Sequence, residues 1–219
     1  MALQLLPVLL AGGLLATGLA AGDTLKLPAP PREGMALAEA LQLRRSSRAF
    51  GPSGPSLAQA AALLWAGQGA NRPDGRRTVA SAGGTFPLEL YLVTEGSKDL
   101  QRGTYKYLPA RHQIVHRDDQ GVAARFRDVT LQNWVKSAPA IVVVAAVSAR
   151  TSARYGERAS RYVQFEAGAC AHSLALQAAA LGLGSGIVGA FDDAAVKRAL
   201  GLAAEEDVLL LIPVGVPRD

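Results

Sequence analysis

Hydrophobic and polar residues recur along the chain with the periods of helices and of strands. Residues 35–43 place two leucines four positions apart with polar residues off that face, which predicts an amphipathic helix. Residues 57–68 repeat this pattern, with Ser56 placed as the N-cap and Gly69 just past the last turn. Two helices are therefore expected on either side of residues 44–55.

Shorter apolar segments predict a sheet. Residues 88–93 form one strand, and residues 104–108 pair with residues 113–116 as a hairpin across a Pro-Ala-Arg turn. Residues 140–147 contain three consecutive valines and are predicted to be a strand buried on both faces at the centre of the sheet. Residues 208–214 are expected to be the closing strand.

The longest helical pattern covers residues 161–181 and is apolar on nearly every side, with Gly182 placed as its C-terminal cap. A helix that is hydrophobic all round has to be covered all round. Its cover must come from the sheet together with either other helices or a second subunit. A shorter helix is predicted over residues 192–200, with Asp192 as its cap.

The N-terminus carries a segment typical of export signals. Residues 1–21 contain no charged side chain and end in small residues, so we expect a cleaved signal peptide and a periplasmic or secreted protein. The alternatives are an uncleaved anchor or a hydrophobic first helix, since no Lys or Arg precedes the apolar run. Its glycines and proline disfavour a stable membrane span. Residues 22–34, with three prolines, are predicted to be an extended linker to a domain over residues 35–219.

Composition narrows the classes of function. The chain has 219 residues with 49% apolar and 19% charged content, as expected for one globular domain. Its net charge of +5 is scattered and not interleaved with aromatics, so nucleic acid is not an expected partner. Cys170 is the only cysteine and His172 has no suitably spaced second ligand, so neither a disulfide nor a metal site is expected.

Residues 44–48 concentrate three arginines and two serines, and no acidic residue occurs from position 40 to position 73. Arginine forks and serine hydroxyls together satisfy a phosphate, so this cluster favours an external anion. The alternative is a solvated helix end that complements the helix dipole. Residues 81–85 and 182–190 are glycine-rich and can bind an anion or admit a flat ring. Neither has the glycine order of a dinucleotide-binding fold.

These motifs carry a family resemblance. Residues 44–50 resemble the Arg-Arg-Ser-x-Arg-x-Phe signature of FMN-dependent nitroreductases. Residues 81–84, followed by Pro-Leu-Glu-Leu-Tyr, are similar to the SagB or thiazole-oxidase branch of that family. The resemblance runs from about Leu37 to the C-terminus. It implies an α+β nitroreductase-like fold, in which a mixed, mostly antiparallel sheet is flanked by helices in an intertwined homodimer.

The resemblance also implies a site for FMN between two subunits. The phosphate and the pyrimidine edge of the flavin would be held by Arg44, Arg45, Ser46 and Arg48. The partner subunit would contribute Ser81, Ala82 and Gly83. Backbone N–H groups near the flavin N5 would come from Val188 and Gly189.

The implied activity is hydride or electron exchange with a small organic substrate in a ping-pong cycle. Members that oxidise azoline rings in peptides carry a Lys-Tyr pair where this chain has Arg154 and Tyr155. Arginine is a poor base, which speaks against a peptide-modifying dehydrogenase, and Tyr155 is the candidate catalytic residue. Ala169 and Ser173 replace a His and an Asn common in the family, so a non-catalytic flavin-fold binding module is the third alternative.

Three side chains outside these motifs also carry expectations. Glu166 falls within the apolar helix, where a buried carboxylate needs a partner, and Arg158 or Arg161 is the expected one. Trp65 and Trp134 are expected to pack in the core or at a dimer interface. Export would separate the protein from free nicotinamide cofactors, so the expected electron donor is a quinone, a redox protein or the substrate itself.

Overall fold

One antiparallel sheet organises the part of the protein that the computed structural model describes, residues 19–126 and 128–218. Its seven strands are β1 (Thr24–Lys26), β2 (Leu88–Thr94), β3 (Gly103–Leu108), β4 (Gln113–Asp118), β5 (Ala140–Ala146), β6 (Gly184–Ser185) and β7 (Asp207–Gly215). Across the sheet they follow the order β1-β4-β3-β2-β5-β7-β6, and neighbouring strands pair antiparallel. Among the described residues, parallel pairing is limited to the bridge between Ser46 and Ser185.

Helices cover both faces of this sheet. Those in the described ranges are α1 (Leu37–Leu43), α2 (Leu57–Gln68), α3 (Val122–Phe126), α4 (Asn133–Lys136), α5 (Ala149–Tyr155), α6 (Ala159–Ala180) and α7 (Asp193–Leu200). Because an antiparallel sheet is flanked by helices, the α+β fold expected from the resemblance is confirmed. None of these helices is both long and apolar enough to cross a membrane. Most of the expected signal peptide, residues 1–18, lies outside the described residues.

β5 is buried on both faces, as its valine run predicts. Val142 and Val144 belong to a core shared with α2 and α6, while Ile141 and Val143 belong to a second core under α3 and α7. Successive side chains of a strand point to opposite faces, so an uninterrupted apolar run feeds both cores. β5 pairs with β2 on one side and β7 on the other, which places it inside the sheet.

α2 and α6 approach each other and the sheet closely. The N-terminus of α2 is fixed by a capping box, in which the Ser56 hydroxyl accepts from the Gln59 N–H at 3.2 Å. Near its other end, a Cβ on Gly67 would lie 3.2 Å from the Cys170 sulfur, so only glycine fits without a shift. Cys170 is fully buried there, and burial raises the pKa of its thiol to about 12. The cysteine is therefore a core residue.

A buried polar cluster crosses the second face of the sheet. Tyr91 and Lys106 both donate to Glu206 Oε1, at 2.7 and 2.8 Å, and the Ala203 N–H donates to Oε2 at 3.0 Å. Burial alone raises the pKa of the Glu206 carboxyl, but the hydrogen bonds from Lys106 and Tyr91 outweigh it, so the pKa is lowered. The ionised carboxylate thereby ties the turn before β7 to β2 and β3.

The segment predicted as an extended linker is partly folded, which corrects that prediction. β1 pairs with β4 at the edge of the sheet, and the following Leu27 is only 4% exposed. The imidazole of His112 contacts the carbonyl oxygen of Pro28 at 2.8 Å. A three-residue strand has too little alternation to be detected from its own sequence, and its partner lies almost ninety residues away.

Candidate functional site

Residues 44–48, here called the arginine loop, are held by backbone hydrogen bonds to α1, where the Arg44 N–H donates to the Ala40 carbonyl oxygen at 2.9 Å, and to the chain around β6 and the C-terminus. The Ser47 N–H donates to the carbonyl oxygen of Ser185 in β6 at 2.9 Å. The Arg218 N–H donates to the carbonyl oxygen of Ala49 at 3.0 Å. The predicted anion-binding segment is therefore held in one conformation by backbone hydrogen bonds, independently of its arginine side chains.

Two glycines allow the loop to lie this close to the chain beyond α6. A Cβ on Gly184 would be 2.5 Å from the Ser47 hydroxyl oxygen, and a Cβ on Gly186 would be 2.9 Å from the ring of Trp134. The same indole ring lies 5.8 Å from the guanidinium carbon of Arg48, within the range of a cation–π contact. Trp134 therefore supports the arginine loop, a role that sequence reasoning missed.

A cavity of about 180 Å³ opens between the arginine loop and the C-terminal end of α6, and Arg45, Ser47 and Ser185 line it. Arg44 and Arg48 form no ion pair with any residue of the described ranges. Arg44 and Arg48 do not line this cavity and carry the other two positive charges of the arginine loop, so the cavity itself offers one guanidinium, of Arg45, together with hydroxyl groups, a combination that suits a phosphate. The cavity is smaller than usual small-molecule pockets, so it suits the phosphate end of a ligand rather than its ring.

Of the two backbone donors predicted near a flavin, only Gly189 is available. The Val188 N–H donates to the carbonyl oxygen of Leu211 at 2.9 Å, and the Leu211 N–H donates back at 2.9 Å. The expectation that Val188 presents its N–H to a ligand is therefore corrected, because pairing with β7 uses that group. Gly189 is exposed, and its N–H has no hydrogen-bond partner among the described residues.

Residues 81–84, here called the glycine loop, lie against α5. Gly83 adopts φ 59°, a left-handed conformation that favours glycine. Arg154 donates to the Gly83 carbonyl oxygen at 3.1 Å, and a Cβ on Gly83 would be 2.7 Å from the Tyr155 hydroxyl oxygen. The structure thus brings the candidate catalytic tyrosine next to the glycine loop of its own subunit.

Two arginines of α5, one helical turn apart, clamp the glycine loop and the residues after it. Beside the bond from Arg154, Arg150 donates to the Phe86 carbonyl oxygen at 3.0 Å and pairs with Glu89 at 2.6 Å. Phe86 has φ 47°, an uncommon backbone conformation for an aromatic residue, and its N–H donates to the Ser81 hydroxyl oxygen at 2.9 Å. The clamp therefore holds a strained backbone in place.

Glu166 is buried beneath the glycine loop, with 4% of its surface exposed. The carboxyl is flanked by the Ser81 hydroxyl and the Gln68 amide, and Arg77 is the nearby cation. Burial raises the pKa of the Glu166 carboxyl, although these neighbours oppose the shift.

The prediction that Glu166 pairs with Arg158 or Arg161 is wrong, because both of these arginines are exposed. At about 100° per residue, Arg161 lies roughly 140° around the helix from Glu166 and faces away from the core. Arg77 instead donates to the Gln68 side-chain oxygen at 2.5 Å and to the Leu88 carbonyl oxygen at 3.3 Å. Local spacing could not indicate a partner that comes from a distant loop.

The arginine loop and the glycine loop lie at opposite ends of α6. Glu166 sits under the glycine loop, while Ala179 lines the cavity beside the arginine loop. These two helix positions are 13 residues apart, which is roughly 20 Å at 1.5 Å per residue. Within one subunit the predicted site residues therefore form two separate groups.

An antiparallel sheet covered on both faces, with an arginine loop and a glycine loop towards the two ends of one long helix, defines the α+β fold of this protein. The model of the nitroreductase family matches residues 41–216. The protein MJ1384 of Methanocaldococcus jannaschii, provisionally named a nitroreductase, is 38% identical over 195 residues, which cover 89% of this chain and 98% of the relative. The chain belongs to the nitroreductase family, and this membership indicates an oxidoreductase.

Solved structures agree with this assignment. A crystal structure from Ralstonia eutropha, also provisionally named a nitroreductase, matches with a TM-score of 0.78 and 26% identity over 93% of this chain and 97% of the other. A chain of the Escherichia coli microcin synthetase McbBCD complex, solved with truncated pro-MccB17 bound, matches with a TM-score of 0.71 and 20% identity over 80% of this chain and 70% of the other. At that identity the second match supports the fold alone.

Proposed function

We propose that the protein is an FMN-dependent oxidoreductase that exchanges hydride or electrons with a small organic substrate in a ping-pong cycle. The observation that carries this proposal is the pair of loops at the two ends of α6. One loop concentrates three arginines beside a cavity that Arg45 and two serines line, and the other offers exposed backbone and a nearby tyrosine. Members of the nitroreductase family usually bind a flavin, which has both a phosphate and a flat ring.

A homodimer unites the two loops in this proposal. α6 leaves Phe165 67% exposed, with Ala169 and His172 also exposed further along the same face. A second copy packed antiparallel on this face would cover Phe165 and bring the arginine loop of one subunit to the glycine loop of the other. Phe165 is the one large apolar side chain that α6 exposes among the described residues, and such exposure is explained by an interaction surface.

An apolar groove beside α6 supports the same interface. Its volume is about 330 Å³, and Leu37, Trp65, Ser173 and Leu176 are among the residues that line it. Leu37 is 65% exposed, although α1 is otherwise packed against α6. We assign this groove to side chains of the partner subunit, which agrees with the expectation that Trp65 packs in the core or at an interface.

The chain's own groups have distinct tasks in the proposed site. Arg44, Arg45 and Arg48 would supply positive charge to the phosphate, with Arg45 in the lining of the cavity, and the exposed N–H of Gly189 would be available to the ring. Bound FMN supplies the hydride chemistry, while nearby cations stabilise the negative charge of its reduced form. Tyr155 has no hydrogen bond to a described residue through its hydroxyl, so this group is free to hold the proton that a reduced substrate takes up.

Reduction is favoured over oxidation of peptide azolines because of Arg154. Its guanidinium is engaged by the Gly83 carbonyl and lies over the Tyr155 ring, with 5.7 Å between its central carbon and the ring centroid. An arginine keeps its proton at physiological pH and therefore cannot act as the base that such an oxidation requires. In our proposal Arg154 shapes the glycine loop and does not exchange protons.

Export of the protein remains part of the proposal. The Leu19 N–H donates to the Gln101 side chain at 2.9 Å, and the Gly22 N–H donates to the His116 carbonyl oxygen at 2.8 Å. Cleavage after position 21 would remove Leu19 and its hydrogen bond but leave a mature chain that starts at Gly22 and is still held on the sheet through β1. A quinone or a redox protein would then reduce the flavin, because nicotinamide cofactors are scarce outside the cytoplasm.

Flavin titration tests the proposal. Purified protein incubated with FMN should show a flavin absorption band at one equivalent per subunit. It should also reduce 4-nitrobenzyl alcohol when a reductant is added. The R44Q/R48Q variant should bind FMN at least tenfold more weakly, since it lacks two of the three positive charges of the arginine loop. The matched control R111Q/R198Q removes two exposed arginines outside both loops and should bind like the wild type. Colourless wild-type protein after incubation with excess FMN overturns the proposal.

A further inference from the structure

We propose that a second anion site beside the glycine loop binds the carboxylate of the substrate, so that the acceptor is a small aromatic or unsaturated acid. This inference rests on the proposed function, because it names the substrate class of the same site. The site, here called the anion cleft, has a volume of about 330 Å³ and is lined by Arg72, Arg76, Arg77, Ser81, Gly84 and Phe86, among others. That volume is at the lower end of the range for small-molecule pockets.

The arginines of the anion cleft are not balanced by acidic side chains in its lining. Arg72 forms no ion pair with a described residue. Arg76 pairs with Asp74 at 3.3 Å, but both side chains are more than half exposed, so water competes with this contact. No acidic side chain lines the cleft. An incoming carboxylate therefore finds two guanidinium groups that it can bind without first displacing a buried partner.

The floor of the cleft adds a third cation. Arg77 is half-buried and uses neutral oxygens of Gln68 and Leu88 as its hydrogen-bond partners. Burial lowers the pKa of its guanidinium, and the charges of Glu89 and Glu166 offset only part of this effect. A further anion above Arg77 would stabilise its charged form.

Apolar surface next to these cations defines the rest of the ligand. The guanidinium carbon of Arg77 lies 4.6 Å from the centroid of the Phe86 ring, and Val79 and Ala80 are also among the residues that line the cleft. A ligand with a flat apolar body and one carboxylate satisfies both surfaces, whereas a fully polar anion leaves the aromatic surface uncovered.

The anion cleft adjoins the proposed reaction site. Ser81 and Gly84 line the cleft, and Gly83 between them contacts Arg154 and Tyr155. A carboxylate anchored at Arg72 and Arg76 therefore leaves the other end of a small acid beside the glycine loop. Because of this placement, the anion cleft selects substrates that carry a carboxylate.

Binding and turnover of matched ligands test the inference. Calorimetry on the FMN-treated protein would compare benzoate with benzyl alcohol, and steady-state assays would compare 4-nitrobenzoate with 4-nitrobenzyl alcohol. Benzoate should bind more tightly than benzyl alcohol. R72Q/R76Q should raise the Kd for benzoate and the KM for 4-nitrobenzoate about fivefold to tenfold, in the range expected for two partly exposed ion pairs. The values for the neutral ligands should not change.

Controls separate this inference from the proposed function. R111Q/R198Q removes the same charge away from the cleft and should match the wild type, and R72Q/R76Q should keep wild-type FMN affinity. Equal binding of benzoate and benzyl alcohol, or equal Kd for benzoate in the two double variants, overturns the anion cleft. Failure of the proposed function has a different signature, namely absence of FMN binding or of any nitro reduction while selective benzoate binding persists.

Discussion

Two variants, each with one of the two loops disabled by substitution, should form one working site when one copy of each combines in a mixed dimer. Arg44→Gln with Arg48→Gln disables the arginine loop. Gly83→Ala disables the glycine loop, because its Cβ would lie 2.7 Å from the Tyr155 hydroxyl oxygen at a left-handed φ of 59°. Each homodimer then has two broken sites. In a mixed dimer, the intact arginine loop of one subunit faces the intact glycine loop of the other.

The expected magnitude follows from counting sites. A purified mixed dimer has one complete site of two, so it should bind FMN and turn over substrate at about half the wild-type level per dimer. Co-expression with two different affinity tags and purification on both isolates this species. Flavin content and rate of 4-nitrobenzyl alcohol reduction are then measured on the same sample.

The reciprocal arrangement is the decisive control. When both loops are disabled in one chain and this chain is paired with the wild type, every interface site has one broken loop, and activity should be nearly absent. If each subunit instead held a complete site, the two results would be exchanged: the first dimer would be inactive and the second half-active. That exchange would refute the interface site. Thermal unfolding of each dimer shows whether the variants remain folded.

Two further variants test residues inside and outside the proposed site. Tyr155→Phe should lower kcat about tenfold to a hundredfold with unchanged FMN affinity, and an unaltered kcat across the pH range would remove Tyr155 from catalysis. Glu206→Gln should lower the free energy of unfolding by about 2 kcal/mol, less than for a fully buried pair because Lys106 is 25% exposed. The lowered pKa of Glu206 means that its contribution is present above the ordinary value of 4.5 and lost as the pH falls through the folded value. Urea unfolding of wild type and E206Q should therefore converge at acid pH, and a constant difference down to pH 2 would contradict this assignment.

The long elements of the fold were predictable because their signals are local. Ser56 and Asp192 cap α2 and α7 as expected, through hydrogen bonds within the first turn. β1 was not recognised as a strand because its hydrogen bonds go to β4, far along the chain. α5 was missed as well, since seven residues are too few to establish a helical period.

The features of the site that depend on local charge could be predicted from the sequence. Those that depend on strand pairing or on contacts between distant residues could not. The arginines of the arginine loop predict an anion site because no acidic residue nearby in the sequence neutralises them. The role given to Val188 failed because the availability of an N–H depends on whether a strand pairs with it, here β7. Trp134 packs against the second core, within the expectation from sequence, but its contact with Arg48 could not be predicted because it exists only after α4 folds against the arginine loop.

α6 accounts for the separation of the two loops and is the reason that our proposal includes a second subunit. One end of the helix holds Glu166 beneath the glycine loop, and the other borders the cavity of the arginine loop. A rigid helix fixes that distance at roughly 20 Å, so no loop movement of ordinary size closes it within one chain. The exposed face that carries Phe165 runs along the same helix. In the proposed homodimer, an antiparallel copy on this face would bury Phe165 and complete two sites in a single step, so dimer stability and cofactor binding should be linked.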